Sequence, residues 1–284
     1  MQSVGIIGLG LIGGSFAKAI RTHTDMRIYA TDIDPSAISA ALADGDIDGT
    51  LDDAYLSEIE YLILALRPHD AIDWAQQNLT KVGSNCLVFD VSGIKELICD
   101  TIGSLAKDQG KRFVGAHPMA GYHEGGYQNA SAQLFAGASL ILCQDEYTQE
   151  DALEQLIEFG RRIGFGSVVV TTPQNHDEMI AFTSQLAHIV SSAYIKDPHA
   201  QLHGGYSAGS FQDMTRVAIL DPDMWSELCN ENADALVGHI DTLVTHLDQY
   251  REALAAKDQD ALRTLLAAGV TAKHASIREH QGCL

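Results

Sequence analysis

The stretch "VGAHPMAGYHEGG", residues 114–126, gathers two histidines, a proline and four glycines directly after an apolar run. His117 falls where strand gives way to loop, and an imidazole there is a proton acceptor, a metal ligand or simply a polar strand end. A second stretch bears on the choice. "VGIIGLGLIGGSFAKAI" sets Gly8, Leu9, Gly10, Leu11, Ile12 and Gly13 in G-x-G-x-x-G spacing between a strand and a helix. The first glycine permits a tight turn, the second admits a pyrophosphate to the backbone, and the third lets helix and strand pack closely. The helix that opens there offers unpaired N–H groups to phosphate. Asp32 ends the next strand, at the distance where an acid accepts hydrogen bonds from an adenine ribose. A carboxylate in that position repels a 2′-phosphate, so NAD is expected rather than NADP; Asp34, before Pro35, suits a helix cap better. Beside a nicotinamide, His117 reads as the base that removes a hydroxyl proton while hydride leaves the same carbon.

Further polar groups fall at chemically useful points. "FDVSGIK" leaves its strand through Asp90, Ser92, Gly93 and Lys95. From Ile163 to Tyr250 the only Lys or Arg residues are Lys196 and Arg216, while seven acids lie between Val217 and Tyr250. Arg216 is therefore the leading group to grip a carboxylate in bidentate fashion, the alternative being an internal ion pair with one of those acids. Ser184, Gln185 and His188 in "SQLAH" share a helical face and either line a polar pocket or cap and solvate the helix. His199 and His203 have i, i+4 spacing, but no acid completes a ligand set, so no metal is expected.

The elements that position these groups change character along the chain. Up to about residue 172, the runs "SVGIIGLG", "RIYATD", "YLILAL", "CLVFDVS", "RFVGAH", "SLILCQ" and "SVVVTT" read as strands. Helical patterns begin near Gly13, Pro35, His69, Glu96 and Thr148. Val-, Ile- and Leu-rich strands without alternation suit a parallel sheet covered on both faces. After Thr172 the strands stop. Leu236, Ile240, Leu243, Leu247, Tyr250 and Leu254 alternate four and three apart, as on a coiled-coil face. One helix is expected from Pro222 to about Ala256. The expected architecture is α/β: a dinucleotide-binding domain over 1–172, then an all-helical domain over 173–284 that makes a homodimer, the alternative being an intramolecular bundle with no partner.

Composition narrows the partners. The 284 residues are 46% hydrophobic and 20% charged, a globular balance, with no run long enough to span a membrane. A net charge of −20 opposes nucleic acid and anionic membranes, so an anionic substrate needs local cations. Cys86, Cys99, Cys143, Cys229 and Cys283 are odd in number and widely spaced, which suits a reducing cytoplasm.

The glycine fingerprint, "DVSGIK", "GAHPMAGYHEGG", "SQLAH" and "MTRVAILDPDMW" together resemble, in order and approximate spacing, the prephenate dehydrogenases. The resemblance covers nearly the whole chain and implies a Rossmann domain followed by a helical dimerisation domain, in a monofunctional form without chorismate mutase or ACT segments. It implies NAD-dependent oxidative decarboxylation of a small dicarboxylate, prephenate, to 4-hydroxyphenylpyruvate. By the same resemblance His117 takes the ring hydroxyl proton with Ser92 as its assisting catalytic serine, Arg216 binds a substrate carboxylate with Lys95 or a protonated histidine as the candidate second cation, and His188 lies in the pocket. The chain departs from the family pattern at three points. Its serine, Ser92, precedes Gly93 where many members have G-S; Gln185 replaces a histidine; and His123, beside Glu124, stands where an acid is common. The last two changes touch substrate recognition and bring arogenate in as an alternative substrate. Other readings are a related dehydrogenase of hydroxy acids or imines, with Lys196 as its helix lysine, and an NAD-binding regulator without catalysis.

Overall fold

The computed structural model describes residues 2–122 and 124–282. All seven expected strands form, and one two-residue strand joins them: β1 (Ser3–Ile7), β2 (Arg27–Thr31), β3 (Gly49–Thr50), β4 (Tyr61–Leu64), β5 (Leu87–Asp90), β6 (Arg112–Pro118), β7 (Ser139–Cys143) and β8 (Ser167–Thr171). They form a single sheet in the order β3-β2-β1-β4-β5-β6-β7-β8. Neighbours from β3 to β6 are parallel, whereas β7 returns antiparallel to β6 and β8 runs parallel to β7. The all-parallel expectation fails at β7, and among the described residues no crossover helix follows β6. The described part of the connection holds one short 3-10 turn, Tyr127–Asn129, and β7 returns beside β6 in the antiparallel sense.

β4 and β5 are buried along their whole length, which is why their sequences lack alternation. Beneath the sheet Phe16 packs on Phe135 with ring centroids 4.6 Å apart, and Tyr61 stacks on Phe159 at the same separation. Helices open near the expected points, at Leu11–His23, Pro35–Asp44, Pro68–Asn78, Glu96–Ile98 and Glu150–Arg162.

The helical segment Pro173–Ile180 continues through a π turn at Ala181–Gln185 into Leu186–Tyr194. The long helix expected from Pro222 is interrupted. Pro222–Glu231 ends at Asn232, where φ is −113° and ψ 29°, and Ala233–Ala255 begins anew. Periodicity continues across the break, so it left no trace in the hydrophobic pattern. The buried Asn232 amide donates to the Asp177 carbonyl (2.8 Å) and to Gln185 Oε1 (2.9 Å), bonds that it makes from a non-helical backbone.

Two compact units result, Met1–Ala233 and Asp234–Leu284. The division falls later than the change from strands to helices at Thr172, because Asp177 and Gln185 tie the first helical segments into the sheet-bearing unit. The second unit is a helical hairpin of Ala233–Ala255 and Gln259–Gly282. Its turn holds Lys257 at φ 52°, and the Tyr250 hydroxyl donates to the Leu265 carbonyl across it. Along the expected seam Leu236 is buried, Ile240, Leu243 and Tyr250 are half-buried, and Leu247 and Leu254 are exposed.

Candidate active site at the carboxyl edge of the sheet

β1 and β4 are where strand order reverses, and the carboxyl edge of such a sheet is where ligands collect. The turn after β1 is built for close approach. Gly8 has φ +94°, and a Cβ there would stand 2.4 Å from the Ala65 carbonyl oxygen. A Cβ at Gly13 would stand 1.9 Å from the carbonyl oxygen of Gly8. Gly10 differs: a Cβ would meet nothing within 4 Å, so its missing side chain leaves open space above the turn. The Leu11–His23 helix that follows has no side-chain cap and no acid in its first turn, which leaves its positive end to an outside anion. These features fit a dinucleotide pyrophosphate.

Asp32, after β2, accepts from the backbone N–H of Leu9 and, at 2.7 Å, from that of Asp34. It therefore braces the glycine turn while retaining further lone pairs for ribose hydroxyls. Asp34 caps the Pro35–Asp44 helix through Ser36 N–H at 2.8 Å, as expected.

Three strands from β1, on the same edge and roughly 14 Å away at the usual strand spacing, β6 ends in His117 and Pro118. The His117 ring is half-buried. Its Nδ1 lies 2.9 Å from His176 Nε2, and His176 Nδ1 lies 2.6 Å from Asp177 Oδ1. Burial, then His176 and the Lys95 ammonium, hold the His117 imidazole well below its ordinary 6.5. Burial also lowers His176, against the opposing pull of Asp177.

Under this pair lies a closed polar network. Asp90 and Lys95 are both fully buried and form an ion pair. The Asp90 carboxylate also accepts from the Ser92 hydroxyl (2.6 Å), Ser92 N–H (2.9 Å) and Ala116 N–H (3.2 Å). Two expectations change here. The Ser92 hydroxyl is hydrogen-bonded to Asp90 and not to His117, because the exchange of Ser and Gly puts Gly93 against the ring. A Cβ on Gly93 would be 3.9 Å from His117 Cε1. Lys95, committed to Asp90, is not free to meet a substrate carboxylate.

The helical wall is organised by Pro222–Glu231. Asp221 caps it, and Trp225 packs over His188 with centroids 4.0 Å apart. The Leu228 carbonyl accepts from Gln185 Nε2 at 3.0 Å, so the buried Gln185 amide is engaged at both ends. His188 Nδ1 is 2.8 Å from the Ser184 carbonyl, which directs the ring's other nitrogen elsewhere. The same helix and its cap meet the start of the Pro68–Asn78 helix through Arg67–Asp221 (3.2 Å) and His69–Glu231 (3.0 Å).

Arg216 is exposed at the end of the Gly209–Thr215 helix, which packs against the Leu186–Tyr194 helix carrying His188. Among the described residues no carboxylate pairs with it, so the internal ion pair is not formed; equally, no contact joins it to His117. His123 lies outside the described residues. His176 and Asp177 are the participants the sequence reading passed over. His176 stands 59 positions from His117, and the only local signal was a His-Asp pair in a helix opened by Pro173.

Fold and edge together define a Rossmann-type, dinucleotide-dependent dehydrogenase with a helical C-terminal portion. Residues 16–180 match the nucleotide-binding domain of prephenate dehydrogenase, and residues 172–268 match the dimerization domain of prephenate dehydrogenase. The chain belongs to the prephenate dehydrogenase family of NAD-dependent oxidoreductases.

Prephenate dehydrogenase of Bacillus subtilis is 30% identical over 268 residues, covering 90% of this chain and 71% of the relative. Cyclohexadienyl dehydrogenase of Zymomonas mobilis is 29% identical over 273 residues, 92% of this chain and 91% of the relative. The crystal structure of Aquifex aeolicus prephenate dehydrogenase in complex with hydroxyphenyl propionate and NAD+ superimposes with a TM-score of 0.85 at 29% identity, covering 98% of each chain.

Proposed function

We propose that this chain catalyses the NAD-dependent oxidative decarboxylation of prephenate to 4-hydroxyphenylpyruvate. The observation that carries the reading is His117: a neutral imidazole at the carboxyl end of β6, hydrogen-bonded to a buried partner, on the sheet edge that also bears the glycine turn. When bound, NAD supplies the hydride acceptor. The backbone N–H groups from Gly8 to Gly13 hold its pyrophosphate, and Asp32 accepts from the adenine ribose and disfavours a 2′-phosphate.

His117 takes the ring hydroxyl proton as hydride leaves the carbon that bears it. Loss of carbon dioxide then sends its bonding pair into the ring, which becomes aromatic, and the proton returns to the oxygen as phenol. Arg216, exposed and paired with no carboxylate among the described residues, grips a substrate carboxylate. His188, held against Trp225, faces the substrate, with Gln185 fixing the wall behind it and His123 contributing to recognition. Ser92 supports the site from below through Asp90.

The enzyme works as a homodimer through its helical hairpin, a reading supported by the family's dimerization domain and by exposed Val244, Leu247, Leu254, Leu266 and Val270. Its expected cytoplasmic setting rests on cysteine usage. The deciding assay follows NADH formation with prephenate, arogenate and a panel of hydroxy acids. Turnover of prephenate above the others supports the reading; turnover of neither cyclohexadienyl acid overturns it, and a preference for arogenate replaces the substrate.

A further inference from the structure

Asp177 is an acceptor on which three donors converge. Oδ1 takes the Lys95 N–H at 2.7 Å, Oδ2 takes the Glu96 N–H at 2.8 Å, and His176 Nδ1 stands 2.6 Å from Oδ1. A carboxylate so placed has no proton to give, so the hydrogen of the third bond belongs to His176 Nδ1. His176 is 2% exposed and near the Lys95 ammonium, both of which disfavour a second proton on its ring. Its Nε2 is then a lone pair, and the only hydrogen available for the 2.9 Å contact with His117 Nδ1 is the one on His117. A neutral His117 that spends its proton at Nδ1 presents a bare Nε2. The chain of two hydrogen bonds thus fixes the tautomer of a ring that free in water would exchange between two forms.

We infer that His176 and Asp177 are positioning residues which hold His117 in the Nδ1–H tautomer, leaving Nε2 as the nitrogen that accepts the substrate proton. The inference rests on the reading of His117 as proton acceptor. The site's local sequence explains why the device is needed. Gly93 offers no side chain beside the His117 ring, and the neighbouring Ser92 hydroxyl is bonded to Asp90, so neither orients the imidazole. The order of the chain supports the assignment as well. The Asn232 bond to the Asp177 carbonyl and the Asp177 bonds to Lys95 and Glu96 anchor the helix from which His176 projects.

The test uses the full-length enzyme with four variants. His176→Leu removes the acceptor, whereas His176→Gln restores an acceptor oxygen near the place of Nε2. The expected result is a kcat lower by about 10- to 100-fold for His176→Leu with KM changed less than about threefold, and recovery of most of that loss in His176→Gln. His117→Asn sets the floor, and His117→Asn/His176→Leu should fall no further, because a residue that acts only through His117 has nothing left to act on. Histidine-selective 15N spectra above neutral pH report the tautomer directly: a pyrrole-like Nδ1 and pyridine-like Nε2 on His117, assigned by its loss in His117→Asn.

A kcat for His176→Leu within about twofold of the parent would overturn the inference. So would equal losses in the Leu and Gln variants, losses that multiply in the double variant, or an Nε2–H tautomer in the parent. If His176→Leu does not fold, judged by circular dichroism and NADH binding, the Gln variant and the parent spectrum decide. Near-parental kcat in His117→Asn would instead overturn the proton-acceptor reading itself.

Discussion

The Ser92 hydroxyl donates to Asp90 Oδ2 at 2.6 Å, inside a network that also holds the Lys95 ammonium. The serine thereby contributes to the floor of the site rather than to its reacting edge. Ser92→Ala should cost about 1–3 kcal/mol of stability, because it leaves part of a buried ion pair without its hydrogen bond. It should change kcat by less than about threefold. Chemical denaturation beside steady-state kinetics checks both halves; a large loss of kcat without loss of stability would return Ser92 to the reaction.

Gly10 and Gly8 separate cofactor space from backbone need. Gly10→Ala adds a methyl group where nothing lies within 4 Å, so the melting temperature should stay within a few degrees. The same methyl should raise the KM for NAD by about tenfold or more, since it occupies the pyrophosphate's approach. Gly8→Ala forces a side chain onto a φ of +94° and against the Ala65 carbonyl, and should lose stability as well as cofactor binding. Thermal melts with NADH titrations distinguish the two.

The two linked imidazoles predict a direction for pH. Both His117 and His176 lie below their ordinary 6.5 in the folded chain. Their contribution to stability is therefore complete above that value and shrinks as pH falls, because the unfolded chain takes up protons that the folded one refuses. The acid limb of kcat/KM should likewise fall below pH 6.5, where His117 first becomes charged. Activity and denaturation measured from neutral pH downward check both; an acid limb above 6.5 would contradict the half-buried, neutral ring.

Arg216 and His117 should fail in different ways. Arg216→Ala should raise the substrate KM chiefly, as expected of a group that binds ground state and transition state alike. His117→Asn should lower kcat by about 10²-fold or more and leave KM nearer the parent's. Initial rates over a range of prephenate concentrations separate them.

Much of this was legible in the residues. The G-x-G-x-x-G spacing, the acid at Asp32 and the seven apolar runs identify the nucleotide-binding half, because turn geometry and strand burial act on neighbouring residues. The break at Asn232 was not legible, since hydrophobic periodicity runs through it; what breaks the helix is a buried amide that finds Asp177 and Gln185, some 50 positions earlier. The reversal at β7 likewise depended on the loop's path rather than on strand composition.

For the site, sequence alone determined the reacting types: a histidine at a strand end, a glycine turn, and one arginine in a stretch nearly empty of cations. Only tertiary structure decided which groups touch. It turned Ser92 toward Asp90, committed Lys95 to the floor, and brought His176 and Asp177, which no local pattern links to β6, against His117. The physical reason is that residue type and spacing constrain chemistry along the backbone, whereas a hydrogen bond between residues 59 positions apart exists only once helix and sheet have packed.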